Sequence, residues 1–330
     1  MAFLLRKIVG GITTLLLMTF VVFCLQSVVP TDPARLIAGP AAPASTVEAI
    51  RSEMGLDDNL VTRYGRFLHR LTQGDLGSSV RTRQPVVNDI ARYLPATLEL
   101  AAVAMTLGIL FATIIAVVQA AYPHTRILRI FFVGIGSAPV YLTALVVVYV
   151  VWFKLGWLPG SGRLSVRLNG QTGILLIDTA LLAEPRLFVD AISHLILPAL
   201  VLALPITVAI SQALSSSLYD VMRQGYIRTA RGKGLSIIVV IVRHGLRNAA
   251  NSALTMGGLQ ARLMFGNMLI VERVFGWPGL GMYMVQSLAY SDLPAILGVA
   301  LLLGAVYIIV GTAVRIAQQI ADPRISVQSP

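Results

Sequence analysis

Apolar positions along the chain gather into six runs, at roughly 8–29, 95–121, 127–153, 192–218, 252–271 and 294–316, separated by polar connections of unequal length. Each run meets the need of a membrane-crossing helix, which is about 20 mostly apolar residues, because lipid offers the backbone no hydrogen-bonding partner. Arg6 and Lys7 precede the first run. Its length exceeds the roughly 7–15 apolar residues of a secretory signal, so a retained first helix is predicted. The stretch 172–182 is too short to span and is interrupted by Asp178; it reads as an interfacial or loop segment.

The longest polar connection, 30–94, carries helical punctuation of its own. Ser45 reads as an N-cap, Glu48 follows three residues later, and Gly55 reads as the stop. An amphipathic helix is predicted over 60–71. The expected organisation is therefore an N-terminus and first helix (1–29), a small folded extracytoplasmic insert (30–94), and a core of the remaining spans (95–330) with a cytoplasmic loop at 219–250.

Composition agrees with lipid as the solvent. Hydrophobic residues make up 56% of the 330 positions and charged residues 12%, against about a quarter charged in a soluble domain. Mean hydropathy is +0.78. The net charge of +11 would suit nucleic acid in a soluble protein. No nucleic-acid motif accompanies it, and membrane proteins collect Lys and Arg at the cytoplasmic face. With both termini inside, Arg6, Lys7, Arg126, Arg129, Arg223, Arg228, Arg231, Lys233, Arg243, Arg247, Arg315 and Arg324 are cytoplasmic. The basic residues of the long insert are discounted, since long translocated loops escape the charge rule. Cys24, the single cysteine, excludes an intrachain disulfide. His69, His124, His194 and His244 show no metal-ligand spacing.

The loop between the fourth and fifth runs reads as two short helices joined by a tight turn. Gly232 and Gly234 offer positions of free backbone sign, and Ser236 can cap the helix that follows. Basic residues share the loop with apolar Ile227, Leu235 and Ile237. A basic and apolar elbow suits docking into a groove on a soluble partner; an ordinary cytoplasmic loop would be basic without the glycine punctuation.

At this loop the chain resembles the permease family of binding-protein-dependent ABC importers, in its oligopeptide/dipeptide/nickel branch. That family's signature begins Glu-Ala-Ala with a glycine four residues after the second alanine; here Arg228-Thr229-Ala230 and Gly234 stand in those places. Tyr226 to Leu235 follow the peptide branch's form, Tyr-x-Arg-Thr-Ala-Arg-x-Lys-Gly-Leu. Ser252 stands where the family has a proline. Further strings match in order: Pro30 to Pro33, Gly74 to Ser79, Leu94 to Leu98, Leu155 to Pro159, Val271 to Gly281 and Asp322 to Ile325.

The resemblance implies an all-α integral membrane protein of six transmembrane helices in the cytoplasmic (inner) membrane. It further implies a second homologous permease subunit, two cytosolic ATPase subunits and an extracytoplasmic substrate-binding protein. Tyr226, Arg228, Thr229, Ala230, Lys233, Gly234 and Leu235 become the expected ATPase contact. ATP and Mg would be held by the ATPases, with no cofactor and no catalysis in this chain. Consistent with that, Gly232-Lys233 is followed by Gly234, where a phosphate-binding loop needs Ser or Thr, and Ile227 replaces its first glycine. The substrates implied for the branch are dipeptides, oligopeptides, glutathione-like compounds, nickel complexes or haem.

Polar residues inside the spans are few: Glu99 and Gln119 in the second, Gln260, Arg262 and Asn267 in the fifth. An arginine near mid-depth costs on the order of 2.5–3.5 kcal/mol unless it meets water or a partner. Two readings stand. Either Arg262, with Gln260, Asn267 and Glu99, lines a translocation path and favours an anionic group, or it forms a buried pair with Glu99 or a carbonyl. Gly257, Gly258, Ala261 and Gly266 make one small face, expected to pack against the partner permease, with a flexible hinge as the second reading. Ser215, Ser216 and Ser217 are expected to bond back to their own helix. Two other classes are weighed: an ion-coupled secondary transporter, which would carry more acids or broken helices at the midplane, and a non-transporting membrane scaffold, which has no use for the elbow.

Overall fold

The computed structural model describes residues 2–28, 33–39, 41–53, 55–122, 134, 136, 138–166, 168 and 170–321. Secondary structure among them is helical, apart from an isolated bridge between Ser78 and Pro85. The helices are α1 (Ala2–Val28), α2 (Pro33–Ala38), α3 (Ala44–Glu53), α4 (Leu60–Thr72), α5 (Val86–Ala121), α6 (Val140–Val147), α7 (Leu175–Leu181) and α8 (Pro185–Met222), then α9 (Gly225–Gly232), α10 (Ile237–Val240), α11 (Leu246–Val274), α12 (Leu280–Ala289) and α13 (Leu293–Ala321). A π-helical stretch, Val148–Lys154, continues α6, and another, Ile241–Gly245, joins α10 to α11.

Three described helices are long and apolar enough to cross a membrane: Val86–Ala121, Pro185–Met222 and Leu293–Ile320. Shorter apolar helices, Val9–Val21 and Val140–Lys154, fall in the first and third predicted spans. α11 covers the fifth and is 29 residues long, its apolar character diluted by Gln260, Arg262, Asn267 and Glu272.

Several sequence expectations shift. α5 begins at Val86, so Pro95 lies inside the helix and does not open it; helices in lipid tolerate an interior proline where neighbours take up the freed carbonyl. α3 begins at Ala44, placing Ser45 in the first turn and not at the cap, while Gly55 has the positive φ of a stop (+58°). The 172–182 segment forms the short helix α7. The start of the third span, Pro30 to Asp32, His124, Arg126, Arg129 and the terminal string 322–325 lie outside the described residues.

The chain divides into two compact units, Met1–Leu94 with Met282–Ile308, and Pro95–Gly281 with Ile309–Pro330. In the first, α4 packs along α1. The Tyr64 hydroxyl donates to the Leu16 carbonyl at 2.9 Å, and Phe23, Phe67 and Leu297 form a buried cluster. In the second, α8 and α11 make the most extensive helix pair, with Leu202, Ile206, Ile210, Met264 and Met268 buried. α5 approaches α8 closely at Gly108, where a β-carbon would stand 2.6 Å from Ile206 Cγ2; small residues permit such contact where helix association relies on packing.

Candidate functional site

The elbow is built from the end of α8 onward. α8 stops at Met222, Arg223 and Gln224 turn the chain, and α9 begins at Gly225. Ile227 is buried and anchors α9, while Tyr226, Arg228, Thr229, Arg231 and Lys233 are exposed and Ala230 is half-buried. α9 therefore turns one apolar residue inward and a basic, partly apolar face outward. Gly234 ends it with φ +84°, its amide donating to Arg231 O at 3.0 Å. That backbone sign explains the glycine, because a side chain there is strained. Space does not: nothing lies within 4 Å of where its β-carbon would be. Gly232 is the last residue of α9 and has no positive φ. Ser236 stands at the N-cap of α10 without a side-chain capping bond. Leu235 is exposed.

Of the four polar residues expected in a path, Glu99 stands on α5 and Gln260, Arg262 and Asn267 stand on α11. Glu99 is buried on α5, where it accepts from Arg163 and from the Leu176 amide at 2.7 Å. Arg262 is half-buried and its Nε donates to Gly258 O, one turn back on α11, at 3.1 Å. Gln260 and Asn267 are half-buried on α11. The small face divides. Gly257, Gly258 and Ala261 are buried within this chain, Gly258 so tightly that a β-carbon would meet Val314 Cγ1 at 2.5 Å, whereas Gly266 is open. Ser215 departs from expectation by donating across to Gln119 Oε1 on α5 at 3.0 Å.

Against known proteins, residues 104–327 match the family described as "Binding-protein-dependent transport system inner membrane component", and residues 1–101 match its N-terminal companion family. The chain belongs to this family. Similar proteins include the di/tripeptide transport system permease protein DppB of Pseudomonas aeruginosa, 34% identical over 98% of both chains. The probable D,D-dipeptide transport system permease protein DdpB of Escherichia coli is 34% identical over 92% of both, and the glutathione transport system permease protein GsiC of Escherichia coli O6:H1 is 33% identical over 98% of both. The chain is thus an inner-membrane permease subunit of an ABC importer. Such subunits are non-catalytic and work in a complex with other subunits. The ion-coupled transporter and the scaffold give way to this assignment.

The permease also holds a buried polar cluster that sequence reasoning did not single out. Thr97 Oγ1 donates to Glu272 Oε1 at 2.7 Å and accepts from the Leu280 amide at 2.7 Å. Trp277 Nε1 donates to Ala96 O at 2.9 Å, and the Arg163 guanidinium lies 5.2 Å from the Trp277 ring centre. Glu272, Gly279 and Gly281 fold into a tight elbow in which either glycine's β-carbon would press on the Glu272 carboxylate. The signal was present in the string Glu272 to Gly281. Its partners Thr97 and Arg163 lie more than a hundred residues upstream, where nothing in sequence ties them to it.

Proposed function

We propose that this permease carries peptides or peptide-like small solutes across the cytoplasmic membrane by alternating access, as one of a pair of homologous permease subunits. Two cytosolic ATPases bind ATP and Mg, and an extracytoplasmic binding protein delivers the substrate. The chain crosses the membrane six times with both termini inside, its 30–94 insert outside and its 219–250 loop in the cytosol. Two of the three relatives above are named for di- or tripeptide transport and the third for glutathione transport.

The observation that carries the reading is the elbow, an exposed basic helix fixed at one end by buried Ile227 and closed by left-handed Gly234. It leads through α10 and a π-helical stretch directly into α11. A push on Tyr226, Arg228, Thr229, Ala230, Lys233, Gly234 and Leu235 is then transmitted to a spanning helix as a rigid-body displacement. Arg262, with Gln260, Asn267 and Glu99, is the candidate polar lining of the path, since ionisable groups at this depth mark pathways.

The assembled transporter in proteoliposomes should accumulate radiolabelled dipeptide only with ATP and binding protein present. In a Cys24→Ser background, Lys233→Cys should react with a membrane-impermeant maleimide only from the cytosolic side. Labelling from the other side alone, or uptake driven by an ion gradient without ATP, overturns the proposal.

A further inference from the structure

α4 belongs to the polar connection after the first span, yet it packs on spans. α1 and α13 are antiparallel neighbours: a β-carbon on Gly11 would stand 3.3 Å from Ile308 Cγ2, and one on Gly304 would stand 2.7 Å from Met18 Cε. Onto this pair α4 lays Tyr64, Phe67 and Leu71, in one apolar cluster with Phe23, Leu297 and Leu301. The Tyr64 hydroxyl donates to Leu16 O at 2.9 Å and stands 3.0 Å from Thr19 Oγ1. Leu16 is twelve residues from the end of α1 at Val28, about 18 Å at 1.5 Å per residue. Phe23 is five residues from that end, about 8 Å. A helix seated at those levels lies beside segments that lipid surrounds, and not above them in water.

The same contacts fix which flank of α4 looks which way. Arg63, Arg66 and Arg70 recur at the spacing that puts them on one flank. The Arg63 guanidinium lies 5.7 Å from the Phe23 ring centre, near the outer end of α1. Tyr64 reaches the other way, to Phe20 (ring centres 5.3 Å apart) and Leu16. The arginine flank therefore points toward the aqueous edge, and the flank beyond Tyr64, with Val61 and Gly65, points toward the middle of the membrane. Val61 is 70% exposed, which costs nothing among acyl chains. Arg66 is paired with Asp58. Among the described residues Arg63 and Arg70 have no ion pair, and Arg70 is exposed. A cationic row above an apolar flank is the pattern of a helix lying in the interface plane, and guanidinium groups match phosphate in shape and charge.

We infer that α4 is seated in the outer-leaflet interface, with Val61 and Gly65 among acyl chains and Arg63 and Arg70 on the phosphates of anionic phospholipid. A soluble receptor would meet Val61 only by entering the hydrocarbon layer, so lipid is the occupant. The inference rests on the amino-terminus-inside topology proposed above and narrows its 30–94 insert, taking this helix out of the water-exposed part.

The test uses the assembled transporter in liposomes of phosphatidylcholine and phosphatidylglycerol. In a Cys24→Ser background, bimane is attached at Val61→Cys or, on the arginine side, at Thr62→Cys. The Val61 probe should be quenched by doxyl-phosphatidylcholine and severalfold less than the Thr62 probe by iodide in the surrounding buffer. Native mass spectrometry should show phosphatidylglycerol retained over phosphatidylcholine, with that preference falling severalfold in Arg70→Gln and further in Arg63→Gln/Arg70→Gln. Equal iodide quenching at both probes without doxyl quenching places α4 in water and overturns the inference. Shielding of Val61 from both quenchers overturns it in favour of a protein neighbour. Doxyl quenching with lipid preference unchanged in both variants overturns it too, leaving α4 in lipid without a headgroup contact. Labelling of Lys233→Cys from the extracytoplasmic side alone instead removes the topology on which the inference rests.

Discussion

Arg163, from the connection between α6 and α7, forms a buried ion pair with Glu99 of α5, the two side chains being 13% and 3% exposed. The pair is reinforced on both sides: Arg163 Nη2 also donates to Gly173 O at 2.9 Å, and Glu99 accepts from the Leu176 amide. The loop is thereby tied to α5 through charges that have both left water. Removing one partner strands the other, at a cost of roughly 3–5 kcal/mol, whereas removing both is far milder. Arg163→Met and Glu99→Gln should each lower the melting temperature of the detergent-solubilised permease markedly. The double variant should lie closer to wild type than the sum of the two. Additive losses would show that the residues do not act as a pair.

Gly281 is fixed by space. A β-carbon there would stand 2.7 Å from Leu269 Cα and 3.0 Å from Glu272 Oε2. The first neighbour is backbone and cannot turn aside, so the α11–α12 elbow must shift. Gly281→Ala should cost about 1–3 kcal/mol, the range for overpacking, read as reduced thermal stability. Gly266→Ala, with nothing within 4 Å of its β-carbon, is the control and should be neutral or slightly stabilising, since alanine is the better helix former.

The helical architecture was legible in the chain because lipid forces apolar residues into long uninterrupted runs, and because Gly55 and Gly234 mark stops with a positive φ. The elbow was legible for the same reason. Helix starts were not: Pro95 looks like a first-turn residue, yet α5 extends back to Val86 because the preceding residues pack as a helix too. Pairings over long separations were also hidden. Glu99 belongs to Arg163 and Thr97 to Glu272, and neither pair has a local spacing that announces it. The small face of α11 was visible, but the contact of one of its members, Gly258, with Val314 of the same chain was not.

Arg262 offers a selectivity prediction. If its charge serves the path, Arg262→Gln keeps the hydrogen bond that Nε makes to Gly258 O within reach while removing the field that favours anions. Import of Ala-Leu should then fall severalfold relative to its C-terminal amide in paired uptake assays. Unchanged selectivity together with lowered thermal stability would assign Arg262 to packing alone.

Tyr283, on α12 outside the spans, gives the first unit an alkaline sensitivity. Its hydroxyl donates to Asp89 Oδ2 at 2.9 Å, and burial, then the neighbouring Asp89, push its phenol pKa upward from the ordinary value. A raised folded-state pKa means that the neutral phenol is the form the fold favours. The contribution is complete below the unfolded value of about 10 and declines as pH rises beyond it. Melting of the wild-type protein should therefore steepen in its pH dependence above about pH 10. Tyr283→Phe should be less stable by about 1 kcal/mol at neutral pH and lose that added slope.

Gly234 gives the sharpest test of the elbow, because its backbone and its surroundings make opposite demands. At φ +84° an L-residue is strained by about 1–2 kcal/mol, yet nothing within 4 Å obstructs a side chain. Gly234→Ala carries the strain without bulk, and the exposed turn has local freedom to relax. Gly234→Trp adds an indole that finds no clash inside the permease and projects from the surface offered to a partner. Both variants should reach the membrane at near wild-type yield. Gly234→Ala should retain most transport, whereas Gly234→Trp should lose co-purification with the ATPase and reduce ATP-dependent uptake at least tenfold, a loss of about 1.4 kcal/mol or more in coupling. If Gly234→Trp co-purifies and transports normally, the ATPase does not dock at this turn. If both variants fail alike while remaining in the membrane, the turn's conformation matters and its surface does not.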